Sequence, residues 1–494
     1  MASDVASVSE DFPSPAGAAP ATSAARTNLV INVLLVSTFV VMLNETAMTV
    51  AIPRLMSALD VSAVAAQWLT TAFLLTMAVV IPVTGFLLQR LNTRPVFLLA
   101  MALFTLGTLT AAVAPGLELL VVGRVVQAAG TAIMMPLLMT TVMTLVPPDQ
   151  RGRMMGRISI VMSVAPAVGP ALAGVILNYL EWRWLFIIML PISLGALALG
   201  WRMMLNVTTP RYAPLDVFSV IVSAIAFGGV VYGLSGLGHE AVDGAMPAWM
   251  PLTIGVVAMV VFVLRQLQLQ QKEAALLDLR TLKQKNFTIS MSMIAILMLA
   301  MFGTIILLPI YLVQVQGFDT LGTGLLLMPG ALLMGVLGPF VGRLYDKHGP
   351  TPLVVPAMFV VSAVLWALTL LGVDTWWPYI LAGHIVICLG FAFLFGPLFT
   401  ASLSSVPPQL YSHGSALLGS IQQVAGAAGV ALFVAVMSAQ SAALARGGTP
   451  EVAALSDGIR TAFVIGAVIS LFALVAAFFV RRPAAQPMPE GMGH

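Results

Sequence analysis

Charge is what this 494-residue sequence has least of. Asp, Glu, Lys and Arg together make up 8% of it, against roughly a quarter in a soluble globular chain. So few charges cannot cover a water-facing surface, which excludes a string of soluble domains of the usual size. Cysteine is nearly absent as well. Cys388 is the single one, so an internal disulfide and a cysteine metal site are both ruled out. There is no phosphate-binding glycine loop of the Walker type, so ATP hydrolysis is not expected. His, Cys and acidic residues do not cluster at metal-ligand spacing. Lys and Arg are scattered instead of massed, which argues against a nucleic-acid partner. No cofactor is expected.

What remains is apolar. Hydrophobic residues make up 60% of the chain and the mean hydropathy is +1.02, so the lipid bilayer is the expected solvent. A membrane-crossing helix needs about 20 mostly apolar residues. Fourteen such runs are present, near 29–52, 65–88, 95–114, 117–145, 153–178, 184–204, 215–237, 249–268, 287–315, 321–343, 352–372, 377–402, 412–440 and 460–480.

The positions of the cations check this count. With the N-terminus in the cytoplasm, seventeen of the 22 Lys and Arg fall on the cytoplasmic side. Four (Arg54, Arg183, Arg446 and Arg460) fall outside, and Arg124 lies within a span. That asymmetry is the positive-inside pattern. It places both termini in the cytoplasm and explains the net charge of +3. Residues 1–27 are rich in Ala, Ser and Pro and lack a basic segment ahead of a short apolar core. They read as a disordered cytoplasmic tail, not a cleaved signal. The longest polar link runs from about Gln266 to Asn286, too short for a soluble catalytic domain, so the chain is not expected to be an enzyme.

A weak internal repeat is visible. "GFLLQRLNTR" (Gly85–Arg94) joins spans two and three, and "GRLYDKHGPT" (Gly342–Thr351) joins spans ten and eleven. If spans one to six and nine to fourteen are equivalent halves, spans seven and eight are an inserted pair. The expected division is a tail (1–27), an N-terminal six-helix bundle (28–205), two linker helices with a cytoplasmic link (206–285), a C-terminal six-helix bundle (286–482) and a second disordered cytoplasmic tail (483–494). Repeats of this kind point to a transporter whose halves rock about a central site.

Several stretches resemble the major facilitator superfamily, in its fourteen-helix drug/proton antiporter branch. Within that branch the lincomycin-resistance type of exporter is the most similar. "LNETAMTVAIP" (Leu43–Pro53) resembles the first-helix pattern, with Asn44 for the usual Asp and Thr49 for the usual Asn. "QWLTTAFLL" (Gln67–Leu75) resembles the opening of the second helix. The loop motif appears at Gly85–Arg94, with Gln89 for Asp and Asn92 for Gly, and its second copy keeps the acid as Asp346. Arg124, Gln127, Ala128, Gly130 and Ala132 fit the fourth-helix motif, and "APAVGPALAG" (Ala165–Gly174) resembles the antiporter motif of the fifth. "WRWLF" (Trp182–Phe186), Tyr311–Pro329 and His413–Leu432 also match this branch. The resemblance implies an all-α integral membrane fold of two six-helix bundles plus two extra central helices. It also implies proton-coupled efflux of drugs or antibiotics by alternating access in a bacterial cytoplasmic membrane.

Glu45 reads as the one acid well inside a span. A charge at mid-bilayer costs roughly 2.5–3.5 kcal/mol or more, so such residues face a bundle interior or a water path. Burial raises a carboxylate's pKa and a nearby cation lowers it, so a Glu held between the two is a candidate proton carrier. The competing role is a structural ion pair. Arg124 is the one cation in a span. The resemblance gives it a part in proton coupling, and the alternative is an Arg snorkelling near the outer end of span four. Whether it meets Glu45 is left open.

In span five, Ala165, Gly169 and Ala173 recur every four residues, and so do Pro166 and Pro170. With Gly174 they form the expected antiporter motif, a small-residue face suited to close packing and to sealing the halves against proton leakage. Gly85, Gln89, Arg90 and Arg94, with Gly342, Asp346 and Lys347, are expected to form gating loops, or else only to set topology. Asn44, Thr46, Gln127, Gln314, His384, Gln422 and Gln423 are the candidate substrate-cavity residues. The 29 Met and 24 Phe suit an adaptable apolar cavity.

Expected partners are a small-molecule substrate, protons as the coupling ion and lipid. A periplasmic adaptor stays open. The alternative function is export of an endogenous metabolite, peptide or lipid. An intramembrane enzyme or receptor would need convergent reactive groups, and no nucleophile–base spacing is present.

Overall fold

The computed structural model describes residues 24–207, 210, 216–236 and 247–482. The expected tails at 1–23 and 483–494 lie outside the described residues. Residues 24–27, expected in the first tail, are instead the opening turn of α1. Two alanines there favour helix.

Among the described residues the chain is helical, without a strand. The first six long helices are α1 (Ala24–Leu59), α2 (Ala63–Arg90), α3 (Thr93–Ala112), α4 (Leu117–Leu145), α5 (Arg151–Tyr179) and α6 (Trp184–Met203). Two more follow, α7 (Val217–Gly236) and α8 (Trp249–Leu269). The last six are α9 (Lys285–Ile310), α10 (Thr320–His348), α11 (Thr351–Leu368), α12 (Trp377–Ser404), α13 (Tyr411–Arg446) and α14 (Glu451–Ala477). Fourteen described segments are long and apolar enough to cross a membrane.

Local chemistry sets several ends. The Ser62 hydroxyl accepts from the Ala65 N–H at α2, and the Asp319 carboxylate accepts from the Gly322 N–H at 2.9 Å at α10, both ordinary N-caps. Gly349, at φ 78°, ends α10 in a backbone region that favours glycine, and Pro350 then opens α11.

The packing repeats. In the first half α1 packs on α5, α2 on α4, and α3 on α4 and α6. In the second half α9 packs on α13, α10 on α12, and α11 on α12 and α14. Adding eight to each helix number of the first set yields the second. Across the middle, α5 meets α10 and α2 meets α13, again equivalent pairs. Helix α7 packs on α8 and also on both α2 and α13, so it lies over the seam between the halves. The Cβ-less backbones of Gly229 and Gly255 make the α7–α8 approach possible: a Cβ on Gly229 would stand 2.8 Å from the Gly255 Cα.

Alternating helix directions bring both described chain ends to one face of the bundle, the terminal face. The link after α8 is not a free polar loop. Leu276 and Leu277 are buried, and their N–H groups both donate to the Gln266 side-chain oxygen, at 2.7 and 3.3 Å. The apolar "AALL" preceding Asp278 explains why it packs inward.

Candidate functional site between the two halves

A buried polar chain ties together four helices of the first half. Arg124 in α4 is 1% exposed. Its Nη1 donates to Asn44 Oδ1 at 3.2 Å and to Gln127 Oε1 at 2.6 Å, and its Nε donates to the Leu69 carbonyl at 3.5 Å. The guanidinium also lies 4.0 Å from the centre of the Phe73 ring, a favourable cation–π placement in a desolvated site. Gln127 passes the chain on, donating to Thr108 Oγ1 at 2.8 Å. Thr108 comes within reach because α3 and α4 meet at glycines. A Cβ on Gly123 would stand 2.9 Å from the Ala111 N. Arg124 is therefore not a snorkelling residue. Its charge is held inside by amides, a carbonyl and a ring.

Asn44, where the family pattern has an acid, is the residue that meets Arg124. Glu45 is half-buried and stands in the electrostatic field of Arg124. Among the described residues it makes no hydrogen bond or ion pair. Within α1, Ala24–Leu59, Glu45 stands near the middle of the helix.

The small face of α5 lies against α1, within the same half. The Thr46 hydroxyl points at the carbonyls of Met42 and Leu43, both at 3.2 Å, and of Ala165, at 3.4 Å. A Cβ on Gly169 would collide with the Thr46 hydroxyl and stand 2.9 Å from the Leu43 carbonyl oxygen. Ala165 and Ala173 are fully buried, whereas a Cβ on Gly174 would meet nothing within 4 Å. So the face formed by Ala165, Gly169 and Ala173 packs within the first half and not on the surface between the halves.

That surface is carried by glycines nearer the terminal face. Gly152 and Gly156 of α5 lie against Gly342 and Gly338 of α10, and a Cβ on Gly338 would be 2.5 Å from the Gly156 carbonyl oxygen. The signal was present as two Gly-x3-Gly spacings, in "RGRMMGR" and "LGPFVGR".

The two loops behave differently. Asp346 accepts from the N–H groups of Gly152 at 2.7 Å and Arg153 at 2.8 Å, capping α5 from the other half. Gln89, at the equivalent position, donates to the Gln409 carbonyl at 3.2 Å just before α13. Gly85 also packs there, 3.1 Å from the Ala416 Cβ if given a Cβ of its own. Arg94 bonds within its own half, to the Trp201 carbonyl at 2.6 Å. Arg90 lies near the Phe86 ring, and Lys347 is exposed. Arg151 joins the halves as well. It donates to the Met143 and Val146 carbonyls at 2.9 and 3.1 Å, and its Nη1 reaches Ser404 Oγ at 3.4 Å.

The expected substrate-cavity residues do not converge on one space. Asn44 and Gln127 hold Arg124, while Thr46 is spent on backbone carbonyls. Gln314 is exposed in the π-helical turn that ends α9. His384 sits between α12 and α10, its Nε2 3.0 Å from the Leu327 carbonyl oxygen and 3.6 Å from Cys388 Sγ. Gln422 donates to Leu418 in its own helix, and Gln423 reaches Met77 Sδ across the α2–α13 seam at 3.7 Å.

A cavity does lie between the halves, elsewhere. Helices α4 and α5 line it from one side and α9, α10 and α12 from the other. Its wall is built mainly of six methionines: Met139, Met155, Met162, Met298, Met301 and Met334. Phe395 and Phe399 add rings, and Ser159 and Ser163 supply the polar side chains. Composition indicated an adaptable apolar cavity, but only the rotation of each helix decides which methionines face it.

Comparison with known proteins agrees with this architecture. A model of the Major Facilitator Superfamily matches residues 34–430. The chain is 38% identical over 458 residues to the Lincomycin resistance protein LmrB of Listeria monocytogenes, covering 92% of this chain and 96% of that one. It is 35% identical over 456 residues to the LmrB protein of Bacillus subtilis, covering 91% and 95%. Among solved structures, the human organic anion transporter MFSD10 superposes with a TM-score of 0.65 at 13% identity, covering 91% of this chain and 99% of that one, a likeness of fold. Two six-helix halves, an inserted pair and these matches agree: the chain belongs to the Major Facilitator Superfamily of membrane transporters.

Proposed function

We propose that the chain is a proton-coupled antiporter that exports lipophilic or amphipathic drugs or antibiotics from a bacterial cytoplasm by alternating access. The observation that carries the coupling is the arrangement at Glu45. Its carboxylate stands in the field of a buried cation, yet no described residue fixes it, because the neutral Asn44 amide holds Arg124 instead. A carboxylate in that position is free to take a proton from the face opposite the termini and to release it when the halves rock. Arg124 biases that exchange electrostatically without forming an ion pair. The names of the LmrB relatives support a drug as cargo, and the distribution of Lys and Arg supports cytoplasmic termini.

The test is collapse of a proton gradient in inverted membrane vesicles, wild type beside Glu45→Gln, with lincosamides among the added compounds. Substrate-dependent collapse is expected in wild type and not in the variant. Equal collapse in both would remove Glu45 from the coupling step.

A further inference from the structure

The methionine cavity differs chemically from the rest of the interior. None of the described residues lining it is charged or titratable. Glu45 is remote along the helix direction. Its neighbour Thr46 meets α5 at Gly169, six residues beyond Ser163, a rise of roughly 9 Å. A cationic ligand in the cavity would therefore leave water without a counter-charge, the costliest kind of burial.

The polar groups at the wall are few, and their state is specific. Ser159 donates its hydroxyl to the Met155 carbonyl at 3.0 Å. The Ser163 hydroxyl is buried, and among the described residues it has no hydrogen-bond partner. One residue before it, the Met162 carbonyl faces Pro166 one turn on, and proline has no N–H to return the helical bond. An unspent hydroxyl thus stands beside a carbonyl that lacks its helical donor, on a cavity wall made mainly of thioethers and rings. Thioethers make favourable contacts with aromatic rings and repack around different shapes.

We infer that this cavity takes its ligand uncharged: an aromatic body against the methionines, with one hydrogen-bonding group anchored at Ser163. The inference rests on the exporter reading and names the substrate class of that exporter. It makes Ser163 a specificity residue and makes the absence of charge the selecting feature.

Equilibrium binding tests this with purified chain in lipid nanodiscs, without a pH gradient and against empty nanodiscs. The probes are N-phenyl-1-naphthylamine, its N-methyl derivative and tetraphenylphosphonium. The neutral naphthylamine is expected to bind saturably, and tetraphenylphosphonium about tenfold or more weakly. Ser163→Ala is expected to weaken the naphthylamine roughly three- to tenfold, the loss of one hydrogen bond, and to leave the N-methyl derivative within about twofold. Met334→Glu is expected to reverse the preference toward the cation. Monodisperse elution of each variant separates a binding change from misfolding, and Ser163→Ala, a minimal change, carries the test if Met334→Glu does not fold. Tetraphenylphosphonium binding as tightly as the naphthylamine would overturn the inference. So would a Ser163→Ala effect equal on both naphthylamines, or no saturable binding of the neutral probe. Because no transport is read, failure of proton coupling at Glu45 and failure of this selectivity are separate results.

Discussion

At Gly169 there is no room for a side chain. The Thr46 hydroxyl and the Leu43 carbonyl occupy the space a Cβ would take, and both belong to α1, so neither backbone yields easily. Gly169→Val is expected to destabilise the purified protein by about 1–3 kcal/mol through overpacking, read as a lowered melting temperature in detergent. Asn44→Leu probes the neighbouring contact. It removes one of the acceptors of Arg124 and leaves a buried donor unpaired, at a cost of about 1–3 kcal/mol. The same melting measurement checks it, and a shift near zero would mean that Gln127, Leu69 and Phe73 suffice to hold the guanidinium. The pairing of Arg124 with Gln127 was legible in the sequence, since residues three apart share a helix face. The choice of Asn44 over Glu45 as its partner was not. Adjacent residues point about 100° apart, and packing between distant segments sets the rotation of α1.

At the scale of elements, the halves are joined through helix ends. Asp346 caps α5 from α10 with two N–H contacts, whereas Gln89 at the equivalent loop donates to one carbonyl. Loss of the stronger contact is expected to open the terminal face. Spin labels on α5 and α10 at that face should report a longer distance in Asp346→Ala than in the parent. A heavier block is expected from Gly156→Leu, because the Gly338 backbone occupies the space of the new side chain. Transport should fall at least about tenfold with expression retained, since overpacking here costs the closed state specifically.

The α7–α8 pair has its own electrostatic tie. Arg265 bonds Asp216 at 3.0 Å, and this bond, with help from Ser219, holds the Asp216 carboxyl below its usual range. A lowered folded-state pKa contributes stability above the ordinary carboxylate value of about 4, lost as pH falls through the lowered value. Proteolytic protection of the α7–α8 pair should therefore be flat from about pH 5 to 8 and decline below about 4, with Asp216→Asn showing no such decline. The two loops resembled each other in sequence. That one holds by a charge and the other by an amide follows from Gln89 standing where the repeat has Asp346.

For the whole molecule, the number and order of the helices were legible because each must supply about 20 apolar residues, and the cations between them record sidedness. Lys347, exposed at the terminal face, checks that record. In a Cys388→Ser background, Lys347→Cys should react with an impermeant thiol reagent in inverted vesicles and not in intact cells. Hydropathy could not show which surfaces meet. The face of Ala165, Gly169 and Ala173 looked like the seal between the halves and packs inside one of them, while Gly152 and Gly156, in a stretch dominated by Arg and Met, lie against the other half.

One feature sets the symmetry of the two halves aside. Helix α7 lies over the α2–α13 seam, and the inserted pair has no comparable packing on α5 or α10. There Val336 and Phe340 of α10 are 69% and 54% exposed, as residues that meet acyl chains are. The molecule thus has a shuttered flank and a bare one. Met155 and Met162 of α5 and Met334 of α10 belong to the cavity wall, so the inserted pair leaves uncovered the flank on which two of the cavity's own helices meet.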